Sequence, residues 1–335
     1  MSEIQSQPMA LAPYQWRNTA MRDMVAVLVV AAVAVALYFL FPTNLALLTR
    51  IIAVMFLVLS LDLVTGFAGV ATLGHATLFG AGAYAAGIMA TKFGINDPLA
   101  MLAIGALAGA LAGSLSSLVI LRGHGLSQLV LSIAVVSLAH EAANKLSAWT
   151  GGSDGLSGIA PSPLFGMFRF DLFGRTAYIM AAVLMVVVFV VLRIIVRSPF
   201  GMLCRGIKQD PVRVRAMGAP VYFTQVKMYA IAGAVAGIGG GLQAIATKVV
   251  GLDSLSFNLS AEALVMLVLG GTGKLYGAMI GTLVFVWFED RVSAINPFHW
   301  LTIVGVLLIA VVLFAPKGLT GAAESLWKRF RGARS

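Results

Sequence analysis

Four ionisable side chains lie inside long aliphatic runs and are the first candidates for chemistry: Asp62, His75, Glu262 and Lys274. Charge held at apolar depth is costly, so such groups are functional candidates by default. No pair among them has the spacing of a catalytic dyad or a metal site, and no enzyme, metal or cofactor is expected. Asp62 and Glu262 could cap helix N-termini, where the dipole favours negative charge. His75, between Gly74 and Ala76, could line a pathway or pack while donating to a neighbouring carbonyl. Two glycine motifs imitate nucleotide sites. Gly271-Thr272-Gly273-Lys274 looks like the end of a phosphate-binding loop, but that loop needs an earlier Gly and a Ser or Thr after Lys, where Val268 and Leu275 stand. Gly80-Ala81-Gly82-Ala83-Tyr84-Ala85 fits a loose dinucleotide fingerprint without its strand-turn-helix setting. Both read as intramembrane glycine packing, so the chain is expected to carry no ATPase of its own.

The elements that position these residues follow from composition. The 335 residues are 60% hydrophobic and 11% charged, with a mean hydropathy of +0.95. Soluble domains carry roughly 25% charged residues, so lipid must solvate much of this surface. In lipid every backbone polar group needs an internal partner, which leaves helices or closed barrels. Barrel strands alternate with period two; the runs here are continuously apolar, and an all-α polytopic membrane protein is expected. A span needs about 20 apolar residues. Met24–Phe41, Ile51–Leu73, the Gly/Ala-rich Ala76–Ala90, Leu99–Leu121, Leu126–Leu138, Thr176–Leu192, Met228–Thr247, Ala263–Trp287 and Trp300–Phe314 are the candidates. Eight to ten transmembrane helices result, depending on how the Gly-broken stretches divide. The N-terminal run ends in Leu-Phe-Pro rather than a small-residue cleavage site and reads as a retained first span.

The net charge is +10, and most basic residues sit in a few inter-helical segments and both tails, which fits the positive-inside rule and argues against nucleic acid. The organisation expected is a cytoplasmic tail (1–23), a membrane domain (24–316) with a cytoplasmic loop (193–224), and a basic cytoplasmic tail (317–335). Cys204 is the single cysteine, so no intrachain disulfide can form. Two hydrophobic segments are interrupted by glycine in corresponding places, Gly66-Phe67-Ala68-Gly69 and Gly270-Gly271-Thr272-Gly273, suggesting pseudo-symmetric halves. Glycines also let helices pack closely, and the pattern alone leaves both readings open. If the segments are broken, Gly66 to Ala76 and Gly270 to Lys274 should approach one another, because irregular backbone at membrane depth must be buried in protein or line a wet cavity. Thr72 and His75 would then be pathway walls, with Asp62 and Lys274 near the ends.

Within 193–224, Asp210 is a good N-cap, Pro211 suits the first helical turn, and Gly218 offers a left-handed stop before Pro220. The spacing predicts a short helix, Pro211 to Met217. Seven residues do not hold a helix in water alone, so it should dock, either in a partner's groove or on anionic lipid. Arg213 and Arg215 alternate with Val212, Val214 and Met217 in a mixed surface.

Taken in order, these segments resemble the LivM-like permeases of branched-chain amino acid ABC importers. The resemblance runs from about Leu45 to Thr320. It rests on Asp62-Leu63-Val64-Thr65-Gly66-Phe67-Ala68-Gly69, Leu73-Gly74-His75-Ala76, Thr150-Gly151-Gly152-Ser153-Asp154-Gly155-Leu156, Ser198-Pro199-Phe200-Gly201, Ala216-Met217-Gly218, Leu269-Gly270-Gly271-Thr272-Gly273 and Phe314-Ala315-Pro316-Lys317-Gly318-Leu319. It implies that Ser198 to Gly218 is the segment coupled to an ATPase, with Ser198, Gly201, Asp210, Pro211, Arg213, Arg215 and Gly218 as its markers. It also implies a LivH-like second permease, two ATP-binding subunits, a periplasmic solute-binding protein, a small polar solute and a bacterial inner membrane. Asp62 stands where such proteins usually carry Asn, and Lys274 where a small polar residue is usual. Urea, short amides and aromatic acids are solutes of the same family, so the solute is open. The rival reading, an ion-coupled secondary transporter, is disfavoured by the scarcity of buried acids.

Overall fold

A computed structural model describes residues 16–168, 170, 174–295, 302, 305, 306, 318, 319 and 321. Among the described residues the regular structure is helical, with two isolated β-bridges and irregular connections between the helices. The long helices are α1 (Trp16–Leu40), α2 (Leu45–Leu61), α3 (Ala76–Phe93), α4 (Pro98–Ile120) and α5 (Leu126–Lys145). A short turn, α6 (Ser147–Thr150), precedes α7 (Arg175–Arg197), and two short helices, α8 (Pro199–Gln209) and α9 (Pro211–Ala216), lead into α10 (Val221–Thr247). The last pair is α11 (Phe257–Gly270) and α12 (Leu275–Ile295).

Among the described residues, five helices are long and apolar enough to cross a membrane, and the α11–α12 pair, bent by 115°, makes a sixth candidate. The apolar part of α1, Met24–Leu40, is shorter. The expected stretch Trp300–Phe314 lies largely outside the described residues. Helix α2 is the most enclosed, buried on nearly every face and continued by a π-helical turn over Asp62–Phe67. It packs against α7, α10, α11 and α12.

The tightest packing joins α3, α4 and α10, and it depends on glycine. Gly105, Gly109 and Gly113 recur at helical spacing on α4; the first two face Gly233 and Gly237 of α10, and Gly113 faces the Tyr229 carbonyl. A Cβ at Gly109 would stand 2.8 Å from the Gly237 Cα and would collide with the Gly233 carbonyl. Without a hydrophobic force between helices in lipid, such close backbone approach is what holds them. Gly82 of α3 meets Gly237 in the same way, so the Gly80-Ala81-Gly82 motif is indeed packing inside a helix.

The Thr150–Leu156 motif folds onto the α10–α11 connection. Leu156 and Val250 exchange backbone hydrogen bonds at 2.8 and 2.9 Å, while Gly151, Gly152 and Gly155 supply left-handed turns.

Candidate functional site

Both glycine-interrupted segments are broken rather than continuous. The first, Ala68–His75, joins the π-helical turn to α3 without regular structure; the second, Gly271–Lys274, joins α11 to α12. They meet. The Asp62 carboxylate accepts a 2.6 Å hydrogen bond from the Gly273 N–H through Oδ1, across 211 residues of sequence. Asp62 is fully buried, and its Oδ2 has no hydrogen-bond partner. Gly66 is wedged into this contact: a Cβ there would stand 2.7 Å from the Gly273 nitrogen and overlap Asp62 Oδ1. Gly273 and Gly271 both take positive φ, 78° and 105°, which suits glycine alone. Gly318 rests on the same turn, with its missing Cβ aimed at the Gly271 backbone.

The capping expectations resolve differently for the two acids. Asp62 sits just ahead of the N-terminus of α12, where negative charge is favoured. Glu262 is no cap, because Ser256 starts α11 by accepting from the Leu259 N–H at 3.1 Å. Glu262 instead lies within electrostatic reach of Glu289 and Arg50, which pair at 3.5 Å.

Thr72 and His75 occupy the second half of the first break. Hydroxyls from two other helices complete its backbone. The Leu73 N–H donates to Ser132 Oγ of α5, and the Ala76 N–H donates to Ser260 Oγ of α11, each at 2.9 Å. The Gly74 N–H donates to Thr72 Oγ1 at 3.2 Å. His75 is fully buried, with its ring 6.3 Å from that of Tyr229. Neither imidazole nitrogen, nor the Tyr229 hydroxyl, nor Thr77 Oγ1 makes a hydrogen bond of ordinary geometry; the Ser60 backbone beside His75 and Thr72 beside Tyr229 lie outside it. These four buried polar atoms, on or beside the first break, are left without a hydrogen bond of ordinary geometry. Lys274 is half-buried at the start of α12, and its carbonyl accepts from Gly277 and Ala278.

The segment between α7 and α10 holds two helices where the sequence suggested a basic loop with one. Ser198 starts α8 by accepting from the Gly201 N–H at 3.3 Å, with Pro199 in the first turn. This is the same signal that marks α9, where Asp210 Oδ1 accepts from the Arg213 N–H at 2.9 Å. Gly201, Cys204 and Ile207 form the buried face of α8; a Cβ at Gly201 would run into the last carbonyls of α7. Burial pushes the Cys204 thiol up to about 11, so it stays protonated and inert. Helix α9 ends one residue earlier than expected, at Ala216, and Gly218 closes it at φ 83°.

Helix α9 is anchored through Val214, which joins Ile207 and Val221 in a small apolar cluster of its own. Its other face is bare: Val212 and Met217 are 74% and 71% exposed, and Arg213 and Arg215 project beside them. A cavity of about 310 Å³ opens next to this face, lined in part by His124, Gln128, Lys208, Arg215, Tyr222 and Gln225. The arrangement offers a recessed, basic seat with an apolar rim.

No solved structure matches the chain. It is 25% identical over 296 residues to the high-affinity branched-chain amino acid transport system permease protein LivM of Escherichia coli, covering 82% of this chain and 69% of the relative. The LivM of Salmonella typhimurium is 24% identical, over 78% of this chain and 66% of the relative. A probable LivH permease of Methanocaldococcus jannaschii is 25% identical, over 75% and 82%. The model of the branched-chain amino acid transport system permease component matches residues 43–313, which hold both breaks and the α8–α9 segment, and the chain belongs to that family.

Proposed function

We propose that this chain is the membrane-spanning permease subunit of an ATP-driven importer for branched-chain amino acids or related small polar solutes. The observation that carries the reading is the α8–α9 element. It is capped at both starts, anchored by Cys204, Ile207 and Val214, and bare on the face that holds Val212, Arg213, Arg215 and Met217. A short helix with an exposed apolar and basic face beside a cavity is suited to a partner surface, and an ATP-binding subunit is the partner the family reading supplies. That reading makes the α8–α9 side and both termini cytoplasmic, in a bacterial inner membrane. It adds a second, LivH-like permease, two ATP-binding subunits and a periplasmic solute-binding protein.

The translocation pathway is assigned to the first break. The polar atoms of His75, Thr77 and Tyr229 that make no hydrogen bond of ordinary geometry, with Thr72 beside Tyr229, suit a small solute with few polar groups. Asp62 and Lys274 would stand at its lower end. Reconstitution of the chain with the ATPases and binding protein of its own operon tests the whole reading. Solute should stimulate ATP hydrolysis only when all components are present. Stimulation by an ion gradient instead of ATP would overturn it.

A further inference from the structure

Helix α8 is tied to the junction of the two breaks by basic side chains. Lys208 Nζ donates a 2.6 Å hydrogen bond to the Gly66 carbonyl, across 142 residues of sequence. The Lys208 stem lies over Gly69, where a Cβ would stand 2.8 Å from Lys208 Cγ. Arg205, one turn earlier, places its guanidinium 5.0 Å over the buried Phe67 ring. Gly66 in turn touches both Asp62 and Gly273. One continuous line of contacts therefore runs from α8 through Gly66 and Asp62 into the α11–α12 turn.

The charges on this line are matched. Asp62 is buried with one unpartnered oxygen, and the Lys208 ammonium is near enough to act on it electrostatically. Asp62 is buried whereas Lys208 is exposed, so removing the ammonium leaves the buried carboxylate without its nearby cation, and removing the carboxylate charge as well relieves that cost. Lys208 also borders the cavity beside α9 and keeps one side open to it, so its bond to Gly66 is within reach of whatever docks there.

We propose that Lys208 is a positioning residue, an electrostatic latch that holds the Asp62–Gly273 junction shut against α8 and is released when α8 moves. The coupling role rests on the permease reading above; the latch itself does not. Cys204, buried one turn before Lys208 on α8, is a native reporter of whether α8 is seated.

The test is a charge-swap cycle read in two ways. In the purified full chain, Lys208→Met keeps the stem over Gly69 but removes the ammonium. With the charged hydrogen bond to Gly66 gone, the rate of Cys204 alkylation by N-ethylmaleimide should rise about tenfold. Adding Asp62→Asn, which keeps an acceptor for Gly273, should return the rate to within about threefold of the parent. In the assembled importer the single variant should hydrolyse ATP without proportionate uptake, and the double variant should regain coupling. A Lys208→Met chain whose Cys204 stays protected overturns the latch, as does a double variant as reactive as the single. A cycle that holds in the isolated chain while uptake ignores it overturns the coupling role alone. Failure of the ATPases to assemble with the parent chain overturns the permease reading, and the alkylation cycle still decides the latch.

Discussion

The α4–α10 seam and the Gly271–Gly273 turn are equally rich in glycine and use it oppositely. Along the seam, Gly109 and Gly237 stay helical, and the absent side chains let two backbones touch. At the turn, positive φ ends one helix, and a freed N–H is satisfied by a carboxylate from another break. The seam is a packing device, whereas the turn is a joint. The difference shows in who completes the backbone. Seam glycines need no outside partner, while the breaks borrow Asp62, Ser132, Ser260 and Lys208 from four separate elements. Joints that depend on a few long-range polar contacts can open locally at lower cost than a glycine seam packed along its whole length.

Substitutions at three glycines sharpen this contrast. The largest effect is expected in the seam. Gly237→Leu forces α3, α4 and α10 apart together; overpacking at one such site costs about 1–3 kcal/mol, and here three contacts are lost at once. Little monodisperse protein should survive detergent extraction, measured by size-exclusion chromatography. A well-folded Gly237→Leu chain would show that the seam is not the structural core.

Gly66→Ala should be intermediate. The added methyl meets Asp62 and Gly273, so the junction must spread while the helices around it stay intact. We expect a folded chain with a lower unfolding midpoint, about 1–3 kcal/mol less stable, and strongly reduced uptake in the assembled importer. Full uptake with this variant would separate the junction from transport.

Gly218→Val should be the mildest for the fold. Nothing lies within 4 Å of the position a Cβ would take, so only the left-handed backbone at φ 83° opposes a side chain. That costs about 1–2 kcal/mol locally, more for a branched residue. Membrane insertion should persist while ATPase co-purification and uptake fall. If both survive, α9 is not the docking element.

The particular residues explain what sequence alone could and could not reach. Continuous apolar runs declared helices, and Asp210, Pro211 and Gly218 marked α9 almost to the residue, because caps and stops are local chemistry. The same chemistry marked α8 through Ser198 and Pro199 but was hidden by the surrounding Arg and Lys, which read as loop. The i, i+3, i+6 spacing of Gly201, Cys204 and Ile207 was the signal that could have revealed it. Whether the two glycine segments break was left open by the sequence; that they should meet if broken followed from the need to bury irregular backbone. Their partners did not follow: Lys208 finds Gly66 from 142 positions away and Ser260 finds Ala76 from 184. Such contacts depend on how whole helices pack, and no short window of sequence contains them.

The central claim is that the bare α9 face meets an ATPase, and proximity crosslinking tests it most directly. In a Cys204→Ser background, a photoactivatable maleimide crosslinker on Val212→Cys should capture the ATP-binding subunit of the assembled importer. The same reagent on Phe39→Cys, exposed at the far end of α1, should not. Capture from Phe39→Cys with none from Val212→Cys would reverse the orientation and contradict the account.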